Sequence, residues 1–126
     1  MSLPTIITNY WANNTLGLPD LWLEFAPQDQ QPPIAVFEPE GFGPREYGNG
    51  GFWIDNYRYK FAIFQMDPVT AYTQGFDAVN YLNAITDDRI VSVLPHPETM
   101  ATPAQVGQAN VWMYEFSVDF KVSQVS

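Results

Sequence analysis

Residues 112 to 122 constrain the fold more than any other stretch of the chain. Trp112, Tyr114, Phe116, Val118, Phe120 and Val122 alternate there with Glu115, Ser117, Asp119 and Lys121. Successive side chains of an extended strand point to opposite faces, so this run predicts a strand with one face in an aromatic core and the other in water. A second run repeats the pattern from Phe52: Trp53, Tyr57, Tyr59, Phe61 and Ile63 share one face, and Asn56, Arg58 and Lys60 share the other. Phe52, Ile54, Phe64 and Met66 close the two ends of that polar face, which leaves only the middle of the strand facing water.

Directly after the second run stands Asp67-Pro68, the sharpest boundary in the chain, because Asp favours the N-cap and Pro the first helical position. Val69, Tyr72, Phe76, Val79, Leu82 and Ile85 follow at three- and four-residue spacing and predict a helix over 68–85 with that row as its buried face. Leu3, Ile6, Ile7, Tyr10 and Trp11 predict a shorter first helix, capped by Ser2, with Pro4 in its first turn and an end near Asn13 and Asn14. Short strands are expected over 21–25, 34–38 and 89–94, the first two as antiparallel neighbours separated by the polar, proline-bearing segment 28–33. Residues 41–51, which hold five of the eight glycines, and residues 95–110 read as two long loops. The order of helix, three strands, helix and two strands predicts one α+β domain over 1–126. Its expected form is a mostly antiparallel sheet of about five strands with two helices on one face.

Composition narrows the function. With 46% hydrophobic residues the chain can fill a core without staples, and it has no cysteine for a disulfide, a thiolate metal site or a thiol nucleophile. No apolar run approaches the roughly 20 residues of a membrane helix, and no leader is expected at the N-terminus. The net charge of −9 comes with five scattered cations, Arg45, Arg58, Lys60, Arg89 and Lys121, so no basic stripe is present to grip phosphates and no sequence-specific nucleic acid is expected as a partner. The acidity reads as a charge that keeps the chain soluble or, alternatively, as a negative wall that lets DNA pass without sticking.

Chemistry has little to work with. The lone histidine, His96, lies between two prolines with Glu98 as its nearest acid, and one imidazole does not make a metal site. None of the serines, at 2, 92, 117, 123 and 126, sits in a Gly-x-Ser-x-Gly elbow, and Ser92 is the nearest to His96. The glycine-rich segment lacks the Lys-Ser/Thr of a phosphate loop. Glu38 with Glu40 and Asp87 with Asp88 have the spacing of solvated acids. Trp11, Trp22, Trp53 and Trp112 suit core packing, or alternatively the lining of a small-ligand pocket. The reading is a protein that binds other proteins, with no catalytic centre, no cofactor and no metal.

The long strand running straight into the 68–85 helix, the short strand after it and the closing run Tyr114-Glu-Phe-Ser-Val-Asp-Phe-Lys-Val122 resemble the tail-terminator and tail-completion proteins of long-tailed bacteriophages. The resemblance covers most of the chain, on architecture, size and texture. It implies a structural virion protein of the tail, assembled in the host cytoplasm. There it forms a homo-oligomeric ring, hexameric in that family, that caps the tail tube and joins it to the head. Its partners are then itself, the tail-tube protein and the head connector, and the acidity suits a lumen through which DNA passes. Loops make the contacts in such rings, which points to Arg45, Glu46, Tyr47, Glu98 and Met100 as interface candidates. The first helix, at about three turns, is shorter than in many members. Two alternatives are another connector, head-completion or baseplate subunit, and an α+β domain that binds a small ligand or acts as an enzyme through a pocket near His96.

Overall fold

In the computed structural model, which describes residues 2–26, 30–48 and 50–125, the two alternating runs pair with each other along their length. Strand β4 (Phe52–Gln65) lies antiparallel to β7 (Ala109–Val125), in register from Phe52 opposite Val125 to Gln65 opposite Trp112. Residues opposite each other in an antiparallel pair share a face. Tyr59, Phe61 and Ile63 therefore meet Val118, Phe116 and Tyr114 in the core, and Arg58 and Lys60 meet Asp119 and Ser117 on the other side.

The remaining strands complete this pair. On the free edge of β4 lie β2 (Ile34–Phe42), which bulges between Pro39 and Gly41, and β3 (Glu46–Tyr47), which resumes the same edge. On the free edge of β7 lie β5 (Ile90–His96) and β6 (Thr102–Val106). Strand β1 (Leu21–Leu23) adds to β2, and the sheet order is β1-β2-β4-β7-β5. The α+β class and the mostly antiparallel sheet hold, but the described residues form seven strands rather than about five. Strands β3 and β6 lie inside the segments expected to be loops. Their glycines and prolines hide no apolar alternation, yet the long strands beside them present unpaired backbone groups that the passing chain satisfies. The turn from β6 to β7 uses Gly107 at φ 63°, a left-handed conformation that favours glycine.

One pairing reverses the expectation. Strand β1 runs parallel to β2, with Leu21 opposite Ala35, because the chain between them returns to the same end of the sheet instead of turning as a hairpin. Gln28 in that connection, Asn49 in the glycine-rich segment and Ser126 lie outside the described residues.

Both helices cover the aromatic face. Helix α1 (Leu3–Ala12) starts where the Ser2 hydroxyl accepts from the Thr5 amide, and it buries Leu3, Ile6, Ile7 and Trp11. Phe61 stacks between Phe37 and Phe116, with ring centroids 5.3 Å away on each side, and Trp11 lies over it at 6.4 Å. Helix α2 (Pro68–Asn83) starts at Asp67, whose carboxylate accepts from the Val69 and Thr70 amides. The two helices are clamped by Tyr10 and Tyr81, stacked at 4.4 Å, each hydroxyl donating to the other residue's carbonyl at 2.9 and 2.6 Å.

The phase of α2 departs from the periodicity. Its buried row is Ala71, Gly75, Ala78, Val79 and Leu82, whereas Val69, Tyr72 and Phe76 are exposed. The cause is Tyr114, whose ring stands under Gly75 so closely that a Cβ there would overlap it. Only small residues fit between helix and ring, so the bulky row rotates outward. Tyr72 then rests edge-on against Tyr114 at 5.8 Å, and Phe76 stacks on Tyr72 at 6.0 Å. The helix ends at Asn83 rather than 85, although Ile85 still packs into the core.

This geometry sets two effects of opposite sign against each other at position 75. Helix propensity favours Ala over Gly by about 1 kcal/mol, whereas overpacking a filled site costs about 1–3 kcal/mol. Gly75→Ala is predicted to be net destabilising because the ring beneath is itself buried, which urea unfolding measures directly.

Candidate functional site

The face of the sheet turned away from the helices carries three of the five Lys and Arg residues, interleaved with carboxylates in rows across the strands. In one row Lys60 Nζ lies 3.7 Å from Glu38 and 4.0 Å from Glu115. In the next, Arg58 donates to both oxygens of Asp119, at 2.6 and 2.9 Å, and His96 Nε2 lies 2.8 Å from the same carboxylate. Ser117 donates to Glu40 at 2.9 Å beside them. In the last row Glu46 accepts from Lys121 at 2.9 Å and from Asn56 at 3.0 Å.

Residues 40–46 and the edge strand β5 bank a hollow of about 700 Å³ over this lattice. Phe42 and Leu94 form apolar lips, and Arg58, Asp119 and Lys121 form the floor. The charges of the hollow compensate one another. The Arg58 guanidinium, and after it His96, hold the Asp119 carboxyl down at about 2, and Lys121 with Asn56 lowers Glu46. Both groups are anions at neutral pH and hold no proton to donate. His96 finds its acid in Asp119 rather than in neighbouring Glu98, as strand pairing across 23 residues dictates. Ser92 sits four residues from His96 along β5, about 13 Å away. Ser117, opposite His96 in the ladder, spends its proton on Glu40. The arrangement is an ion-pair lattice rather than a nucleophile with its base.

The interface candidates fall into two separate places. Arg45 and Tyr47 lie at the β3 end of the sheet; Arg45 pairs with Asp55 at 2.6 Å and sits 4.8 Å from the centroid of the Trp53 ring, and Tyr47 is 79% exposed. Glu46 beside them is held by Lys121. Glu98 and Met100 lie between β5 and β6, where the Tyr114 hydroxyl accepts from the Glu98 amide at 2.8 Å and donates to its carbonyl at 2.7 Å. Met100 is exposed. Tyr114 is opposite Ile63, near the far end of β4 from β3, so the two sets are not brought together. Neither are the tryptophans: Trp11 is in the core, and Trp53 and Trp112 stand at opposite ends of the β4–β7 ladder. Glu38 pairs with Lys60, Glu40 accepts from Ser117, and Asp87 caps the turn at Arg89. No group of three or more His, Asp or Glu able to hold a metal ion occurs among the described residues, and none of their helices is long and apolar enough to cross a membrane.

Sequence reasoning missed the Arg58–Asp119 pair and the exposed row of α2. The opposite charges on the polar faces of the two alternating runs were the available signal for the first. For the second, the small residues Ala71, Gly75 and Ala78 mark a competing face. A comparison with known proteins finds no matching family model and no matching curated protein.

The lattice has a pH signature. Asp119 is lowered in the fold from 3.8 to about 2, so its pairing stabilises the protein fully above pH 3.8 and less as the pH falls through about 2. Asp119→Asn is predicted to be less stable than the parent at pH 6, with the gap narrowing below pH 3, as urea midpoints across that range report.

Proposed function

We propose that this chain is a structural, non-enzymatic subunit of the tail-terminator kind, which associates head to tail with its own copies into a ring. The ring, hexameric by the resemblance, caps a phage tail tube and joins it to the head in the virion, after assembly in the host cytoplasm. Its partners are its own copies, the tail-tube protein and the head connector. The observation that carries this reading is a pair of distinct apolar patches at opposite ends of β4. One is Met66, Val69, Tyr72 and Phe76 at the start of α2, and the other is Phe42 and Tyr47 beside the start of β4. These side chains are not the overflow of a small core, since Trp11, Phe37, Phe61, Phe116 and Phe120 already fill it. A closed ring of identical subunits needs two different, complementary surfaces on each, whereas a two-fold dimer needs only one. The order of helices and strands adds support.

A second reading has one observation in its favour. The hollow beside His96 falls within the size range of small-ligand sites, about 300–1,000 Å³. Its ionic groups are, however, already paired with one another.

Native mass spectrometry over a wide concentration range, with and without tail-tube protein, tests the proposal. A closed oligomer of one size is the expected result. A strict monomer that binds neither tube nor head proteins overturns it, and turnover of a small molecule abolished by His96→Ala puts the second reading in its place.

A further inference from the structure

The strands of this sheet outrun its helices. At about 3.3 Å per residue, the 14 residues of β4 span about 46 Å, whereas the 16 residues of α2 span about 24 Å. The aromatic face therefore continues past α2 at the β3 end, where the first turn of α1 lines a hollow with Tyr57 and Gln124 but leaves Phe42 and Tyr47 open. Phe42 stands opposite Tyr57, with ring centroids 5.7 Å apart, and Tyr47 stands opposite Trp53. Both are nearly four-fifths exposed, at 78% and 79%. At the other end of the same layer, α2 presents the unpartnered stripe of Val69, Tyr72 and Phe76, spaced as one helix face. One end of the layer leaves side chains of the sheet exposed, and the other leaves side chains of a helix exposed.

Building on the self-association proposed above, we infer that the α2 stripe of one copy covers the bare β3 end of the sheet in the next copy. Charge selects this occupant. Helix α2 carries no Lys or Arg, and its stripe is bordered by Asp67 and Asp77, so two such stripes facing each other bring acid against acid. The bare sheet end carries Arg45 over Trp53, paired with Asp55 at 2.6 Å, so that end has no net charge to oppose an acid-bordered helix. An acid-bordered helix face seated there gains apolar cover without the acid-against-acid repulsion that a second stripe would bring. The stripe lies about 20 Å or more along β4 from the bare end, so a copy does not cover its own. Strand addition is the weaker route for this chain. The β5–β6 edge is interrupted by Pro95, Pro97 and Pro103, and β1 is three residues long and followed by Glu24 at φ 67°.

The natural absence of cysteine makes the contact directly testable with a short bismaleimide. Tyr47→Cys and Val69→Cys alter side chains that are 79% and 71% exposed, so neither disturbs the core. The double variant is expected to give a ladder of covalent oligomers ending at the ring size. An equimolar mixture of the two single variants should stop at dimers, and each alone should remain monomeric on a denaturing gel. Dimers from Val69→Cys alone reveal a two-fold helix contact and overturn the inference. A ring in native mass spectrometry without any Tyr47-to-Val69 crosslink overturns it while leaving self-association standing. A monomer with neither ring nor crosslink overturns both. As an independent check, Phe76→Asp should raise the dissociation constant of the oligomer at least tenfold with an unchanged circular dichroism spectrum. Unaltered assembly of that variant counts against the helix stripe.

Discussion

The pairing of β4 with β7, fourteen residues opposite fourteen, is the constraint on which the rest of the molecule depends. Side chains alternate strictly along both strands, so a slip of one residue would carry Tyr59, Phe61 and Ile63 to the wet face and bring Arg58 and Lys60 inward. Burying an unpaired charge costs far more than any gain in backbone pairing. The single register that avoids it also sets Arg58 opposite Asp119 and Phe61 opposite Phe116. Core and polar lattice are thus two consequences of one alignment. The flanking strands inherit that alignment, since β2, β3, β5 and β6 all pair with one member of the central ladder.

The polar face shows what such a lattice does and does not contribute. Exposed ion pairs are worth about 0–1 kcal/mol each, so these rows add little stability individually. Their stronger effect is on register and on chemistry. Arg58 grips both oxygens of Asp119, which rewards one alignment of two strands, and the same grip keeps the carboxyl ionised well into acid. A carboxylate so held is a poor proton carrier. The groups that look most like catalytic equipment, His96, Asp119 and the nearby serines, are committed to cross-strand partners or stand apart along one strand.

On the other face the decisive relation is between a large ring and a missing side chain. Tyr114 rises into the space under Gly75, so α2 rests on its row of small residues and turns Tyr72 and Phe76 outward. Close approach of helix to sheet and exposure of the helix's bulky stripe have one cause. Together with strands longer than the helices, this leaves large apolar side chains exposed at the two ends of one layer.

The α+β class, both helix starts and the wet and dry faces of the two long strands were legible from residue types alone. They depend on local rules: alternation for a strand with one buried face, and a side-chain oxygen followed by proline for a helix start. Three things were not. The parallel run of β1, the two strands hidden in glycine- and proline-rich segments and the true phase of α2 each depend on a partner far away in the chain. Strands β3 and β6 form because a longer neighbour offers an edge, and the phase of α2 follows from a tyrosine 39 positions after Gly75. The interface candidates were placed by the resemblance, whereas their separation along β4 and the aromatic stripe on α2 came from the tertiary structure. Sequence by itself determined which faces must be dry, because burial is a property of each residue. Only the folded chain decided which dry surface stayed uncovered, because that depends on the relative lengths of helix and strand and on one ring filling the space a helix would otherwise take.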